Sequence, residues 1–189
     1  GDQPFTKLKE FKIPSDWRRK MSNGKAAEEL EERCKRMQLA PAHKVLEMYQ
    51  PFFARLLWSE EFQLHDDLAA FDLVEESATE LAPRGGGLLA LHVKGLAEKR
   101  PSVLKGDLLK VNLVGNRNVV WMGRAVEIEM EDVLLRFDKR FSESYIRRQK
   151  VEVRFMMSRT PLRIFHQGLE AAAELEPAFL FPPDAIQAV

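Results

Sequence analysis

Between Leu88 and Met157 the apolar residues stop recurring at helical spacing and fall into short runs: "LLALHV", "DLLKVNLV", "NVVWMGRAVEIEM", "DVLLRF" and "KVEVRFMM". The runs alternate apolar and polar residues or are rich in β-branched side chains, and turn-forming stretches such as "GLAEKRPS", "GNRN" and "ED" separate them. Such runs are the pattern of consecutive antiparallel strands. With Asp72 to Thr79 as a further strand they are enough to close a small barrel, which leaves no sheet edge exposed.

Helical spacing holds on either side of this region. "HKVLEMYQPFFARLLWSEEF" places Val45, Met48, Tyr49, Phe52, Phe53, Leu56 and Leu57 on one side, with Pro51 predicted to kink or restart the helix. "TPLRIFHQGLEAAAEL" predicts a second helix, with Thr160 as its N-cap and Pro161 at its first position. Ser158–Thr160 and Pro161 then supply the strand-to-helix turn without a glycine. The two helices are expected to pair as a stalk, with Val45, Tyr49, Phe52 and Leu56 meeting Leu162, Phe165 and Leu169. Glu placed ahead of Lys and Arg makes 25–37 a short charged helix. The predicted class is α+β, a small antiparallel barrel inserted between two packed helices. The divisions are an extended arm over 1–24, helices over 25–71, the barrel over 72–157, the second stalk helix over 158–176 and a linker over 177–189. Phe11, Ile13 and Trp17 in the arm are costly to leave in water, so burial against the barrel or a neighbouring chain is expected.

The 29 basic and 29 acidic residues sum to zero, but they are segregated. Glu60 to Glu80 contains eight acids and no lysine or arginine, whereas Arg136 to Arg163 contains nine basic residues against Asp138, Glu143 and Glu152. Exposed arginines are most often plain solvated surface. A basic run interleaved with Phe137, Phe141, Tyr145 and Phe155 is also what binding of a single-stranded nucleic acid uses, with cations on the phosphates and rings on the bases. Phe155 and Phe165 read better as core. Lys139, Arg140, Arg147, Arg148 and Lys150, in or beside what reads as a long hairpin loop, are the candidate RNA-binding residues. Arg159, Thr160 and Arg163 are expected to brace the barrel-to-helix junction.

"YQPFFARLLWSEEFQLHDDLAAFDL", "KRPSVLKGDLLKV" and "VRFMMSRTPLRIFHQGLEAA", followed by "LFPP", resemble in that order a region of the Armitage-type RNA helicases. This superfamily 1 group includes the Moloney-leukaemia-virus-resistance helicases. The resemblance covers about 44 to 183 and implies a stalk helix, a β-barrel insertion that touches RNA and a second stalk helix leading to an ATP-binding motor. It implies single-stranded RNA, silencing proteins and motor domains of the same chain as partners, a cytoplasmic or ribonucleoprotein-granule setting, and ATP and magnesium as cofactors of the parent enzyme.

The residues set limits on that resemblance. No GxxxxGK[ST] phosphate loop occurs, and Gly85-Gly86-Gly87 lacks the following Lys-Ser/Thr, so no enzymatic role and no cofactor is expected for this segment itself. His43, His65, His92 and His166 are dispersed, and no metal site is expected. Cys34 has no second cysteine to pair with, which fits a reducing compartment, and no catalytic partner in sequence. The expected function is an RNA-contacting accessory module of an ATP-dependent RNA helicase acting in silencing or mRNA regulation. The alternatives are a module that docks a silencing factor or a second copy without touching RNA, and an unrelated OB- or Tudor-like barrel.

Overall fold

The computed structural model describes residues 7–174, which divide into two compact units: the residues up to Leu64 with those from Arg159 onward, and His65–Ser158. The predicted linker over 177–189 lies outside the described residues.

The second unit is a closed barrel of six antiparallel strands: β1 Thr79–Arg84, β2 Leu88–His92, β3 Leu108–Leu113, β4 Trp121–Glu129, β5 Asp132–Arg136 and β6 Lys150–Phe155. Around the barrel the order is β1-β2-β5-β4-β3-β6, with β6 closing onto β1 through Thr79–Val151 and Glu80–Lys150. Alternation along each strand sends Leu81, Leu91, Leu109, Val111, Val133, Leu135, Val151 and Val153 into the interior, where they are almost wholly buried. A register shift between Ala125 and Glu127 inserts an extra residue into β4, a bulge that bends the strand where the barrel curves.

The sixth strand is not Asp72–Thr79. That stretch contributes one bridge, Leu73 to Val153, and a 3-10 turn at Glu75–Ser77, while the strand itself runs through Pro83 into the expected loop. Proline is tolerated there because β6 pairs β1 only at Thr79 and Glu80, so Pro83 lies beyond that ladder. Where the barrel unit is entered and left, Leu73 and Val153 exchange backbone hydrogen bonds at 2.8 Å, and the Phe155 amide donates to Asp72 at 2.9 Å. The two chain ends of the barrel are thus clipped side by side, as an insertion requires.

The first unit comprises α1 Ser15–Ser22, α2 Lys25–Leu39, α3 Ala42–Ala69, which continues past its boundary, and α5 Thr160–Ala173. The predicted arm is helical beyond Pro14, because Trp17 becomes the centre of a small core. Trp17 is 1% exposed against Met21, Ala26, Leu30, Trp58 and Phe62, and its indole N–H donates to Ser59 Oγ at 3.1 Å. At roughly 25 cal/mol per Å2 over the ~150–250 Å2 an aromatic side chain buries, this one residue contributes about 4–6 kcal/mol. Ile13 is buried in the same cluster, so both find cover in the helical unit. In α2 the expected i, i+4 pairs form at Glu29–Arg33, Glu31–Lys35 and Glu32–Arg36. Helix α3 is not restarted at Pro51, whose carbonyl accepts from Arg55 at 2.9 Å.

Helices α3 and α5 approach through Trp58 and His166, whose rings are 6.4 Å apart, and through an ion pair between Glu61 and Arg159. Tyr49 borders one groove with Phe165 and Leu169, as the apolar spacing suggests, but so do Phe53 and Leu57 in place of Phe52 and Leu56. Phe165, expected in the core, is 63% exposed.

Candidate nucleic-acid interface

The basic run occupies the connection from β5 to β6. In the barrel order these strands are not neighbours, so the connection cannot be the hairpin loop that sequence suggests; it crosses one end of the barrel. Its first part is α4, Lys139–Ser144, started by Asp138, whose carboxylate accepts from the Arg140 amide at 2.9 Å. Phe137 and Phe141 plug the barrel end and are buried, their rings 4.5 Å apart, with Trp121 and Tyr145 packed on Phe141. Phe137 and Phe141 belong to the core and present no stacking surface for bases, whereas Trp121 and Tyr145 are partly buried against it. Phe155 also packs against that core.

The second part is a turn held from within. The Tyr145 hydroxyl accepts from the Leu81 amide at 2.9 Å and donates to the Gln149 carbonyl at 2.7 Å, while Gln149 Oε1 accepts from the Ile146 amide at 3.1 Å. Burial, more than any other influence, pushes the Tyr145 phenol up from its usual range, so it stays protonated and able to donate. Arg147 and Arg148 stand exposed on this turn, Arg148 with φ 77°, and Lys150 is exposed at the start of β6. Among the described residues the side chains of Arg147, Arg148 and Lys150 make no hydrogen bond or ion pair.

Lys139 and Arg140, placed by sequence on the same basic edge, differ from each other. Arg140 is bound to Asp138 at 3.1 Å and lies over the Trp121 ring at 5.7 Å. Its hydrogen bond holds the Asp138 carboxyl below its usual range. Lys139 has no such partner among the described residues and lines a cleft with Arg84 and Arg136, two cations that the sequence reading left out of the site. The available signal was Arg84 standing directly before three glycines, since a glycine tract leaves the backbone beside a charge open to a ligand.

Arg159 and Arg163 belong to the other unit. Arg159 donates to Glu61, to Glu10 at 3.4 Å and to the Phe11 carbonyl at 3.1 Å. Arg163 donates to the Leu8 carbonyl and to the Lys9 carbonyl at 2.8 Å. The two guanidiniums therefore hold the segment 8–11 against the start of α5. Thr160 is the first residue of α5 and not its cap; Arg159 is the cap position and makes no side-chain cap bond, because a guanidinium has no acceptor to offer the free amides of the first turn. Arg154 is engaged elsewhere, donating to Asn112 at 3.0 Å.

The sequence reading also missed a polar cluster on the outer face of β3 and β6. Glu152, 3% exposed, accepts two bonds from Arg117 at 3.2 and 3.0 Å, one from Asn112 at 3.0 Å and one from the Glu75 amide at 3.2 Å. The Arg117 guanidinium, first among these, pulls the carboxyl down to about 2. Arg117 comes from the turn that follows β3, 35 residues before Glu152, and strand pattern alone does not show that the two meet. Among the described residues no group of three histidine, cysteine or acidic side chains is placed to hold a metal ion, and no helix is long and apolar enough to cross a membrane.

Residues 74–155 match the family model of the β-barrel domain of helicase MOV-10. The chain is 34% identical over 140 residues to the RNA helicase Mov10l1 of Mus musculus, 34% identical over 146 residues to a putative helicase MOV-10 of Gallus gallus, and 33% identical over 130 residues to putative helicase mov-10-B.1 of Danio rerio. These alignments take in 73%, 75% and 67% of the chain but only 11%, 15% and 13% of the relatives. No solved structure matches. The closed six-stranded barrel fits the matched barrel domain, and the identity extends well beyond the length of that domain: the chain belongs to the MOV-10 family of helicases.

Proposed function

We propose that this chain is an RNA-contacting accessory module of an ATP-dependent RNA helicase, with the basic crossover at the barrel end as the contact surface. The observation that carries the reading is the set of cations left without a partner among the described residues: Arg136 and Lys139 at the cleft, Arg147 and Arg148 on the braced turn, and Lys150 beside them. Unneutralised cations on a rigid turn suit phosphate contacts, which supply affinity without sequence preference. Such a surface suits a protein that moves along a strand. Phe137 and Phe141 beneath the turn are buried, so contacts at the turn itself rest on charge. ATP and magnesium chemistry is assigned to parts of the helicase outside this segment, because the sequence has no phosphate loop. A role in silencing or mRNA regulation, on cytoplasmic ribonucleoproteins, is part of the same proposal.

The test is the salt dependence of single-stranded RNA binding by the full-length helicase. Arg147→Glu with Arg148→Glu should weaken binding and flatten the slope of log K against log salt by about 0.7 per lost phosphate contact. An unchanged slope in a folded variant would replace this reading with protein docking.

A further inference from the structure

At the barrel end a cleft of about 480 Å3 opens between the β1–β2 turn and α4, a size within the roughly 300–1,000 Å3 of small-ligand sites. Its walls differ in chemistry. Pro83, Leu88 and Leu89 form an apolar side, with Phe137 and Tyr145 adjoining, and Arg84, Arg136, Lys139 and Glu143 supply the charges. Arg84 is held by Asp132 at 3.2 Å, whereas the side chains of Arg136 and Lys139 have no partner among the described residues. The β1–β2 turn is Gly85–Gly87, with φ of 72° at both Gly86 and Gly87, and nothing lies within 4 Å of where a Cβ would stand on any of the three. A bulky group can therefore lie directly on that backbone, and a side chain at Gly86 or Gly87 would be both strained and in the way.

We infer that this cleft seats one ribonucleotide unit of a single-stranded RNA, its phosphate between Arg136 and Lys139 and its base against the Pro83–Leu88 wall over the glycine turn. A bare anion would use the two cations and leave the apolar wall idle; an apolar ligand would leave two cations uncompensated. A nucleotide uses both, and the Glu143 carboxylate can accept from a ribose hydroxyl or an exocyclic amine. The assignment rests on the RNA-contact reading above and sharpens it. The turn cations would track the strand and the cleft would fix one nucleotide of it.

Amide NMR of the 189-residue chain tests this with three probes: inorganic phosphate, adenosine monophosphate and a single-stranded octaribonucleotide. The amides of Gly86, Gly87 and Leu88 should shift saturably with the nucleotide and the octamer, the nucleotide binding about tenfold more tightly than phosphate. Arg136→Gln with Lys139→Gln should remove those shifts in a folded protein. Arg147→Glu with Arg148→Glu should weaken the octamer and leave the mononucleotide shifts intact. Octamer-induced shifts confined to the 146–150 turn would overturn the cleft assignment while the RNA-contact reading stands. Mononucleotide shifts without any octamer binding would overturn both, leaving a free-nucleotide site. Phosphate binding as tight as the mononucleotide would reduce the cleft to an anion site and overturn the assignment.

Discussion

Gly123 lies on the inward face of β4, where a Cβ would stand 2.7 Å from the Phe137 ring. That ring plugs the barrel end, so the missing side chain is what lets the plug seat. Gly123→Ala should destabilise the barrel by about 1–3 kcal/mol, the usual cost of overpacking a core, read as a lower Tm. Glu152 makes a second prediction at this scale. Its carboxyl titrates near 2 in the folded chain against 4.5 ordinarily. A depressed folded value means its contribution is fully present above pH 4.5 and is lost as pH falls toward 2. Glu152→Gln should flatten the acid limb of a stability-versus-pH curve. Equal acid sensitivity in the variant and the parent would show that the Arg117 pair does not govern it. Neither residue stands out in a sequence. Gly123 is one small residue inside a strand pattern, and Glu152 is one acid in "KVEVRF" whose partners come from β3, a loop and the turn at Glu75.

The second stalk helix draws its order from the segment laid against it. His166 of α5 is 3% exposed, stacked on Phe11 at 5.2 Å, with Trp58 on α3 at 6.4 Å. Burial, opposed by Glu61 and Glu170 and assisted by Arg159, lowers its pKa below the usual 6.5. The unfolded chain then takes up the proton first, so this packing stabilises above about pH 6.5 and weakens as pH falls through that value. His166→Phe should remove that dependence below about pH 6.5 in thermal melts. Arg159→Ala should cost toward the lower end of the roughly 3–5 kcal/mol seen on breaking a buried ion pair, because Arg159 keeps partial solvent access while Glu61 does not. The α5 period and its Pro161 were legible in the sequence. The partner of its arginines was not, since Arg159 and Glu10 are brought together only by folding.

At the scale of the molecule, the barrel has its own core and its two ends are joined by the Leu73–Val153 bridge. A chain of residues 65–158 alone should therefore fold cooperatively and keep the amide spectrum of its strands. A molten spectrum would show that the barrel needs the helices. Five of the six strands and both stalk helices followed from period alone, because a pleated strand and a helix repeat their buried positions at different intervals that local sequence records. The order of strands around the barrel did not follow. Whether β5 pairs with β6 or stands across the barrel from it depends on closure, a property of all six strands at once. That one decision turned an expected hairpin loop into a crossover, buried its phenylalanines as a plug, split Lys139 from Arg140 and brought Arg84 and Arg136 to the same cleft. Local sequence determined which residues could be strands, helices and cations. Only the tertiary structure decided which cations remain unpaired, because pairing depends on what other segments bring within reach.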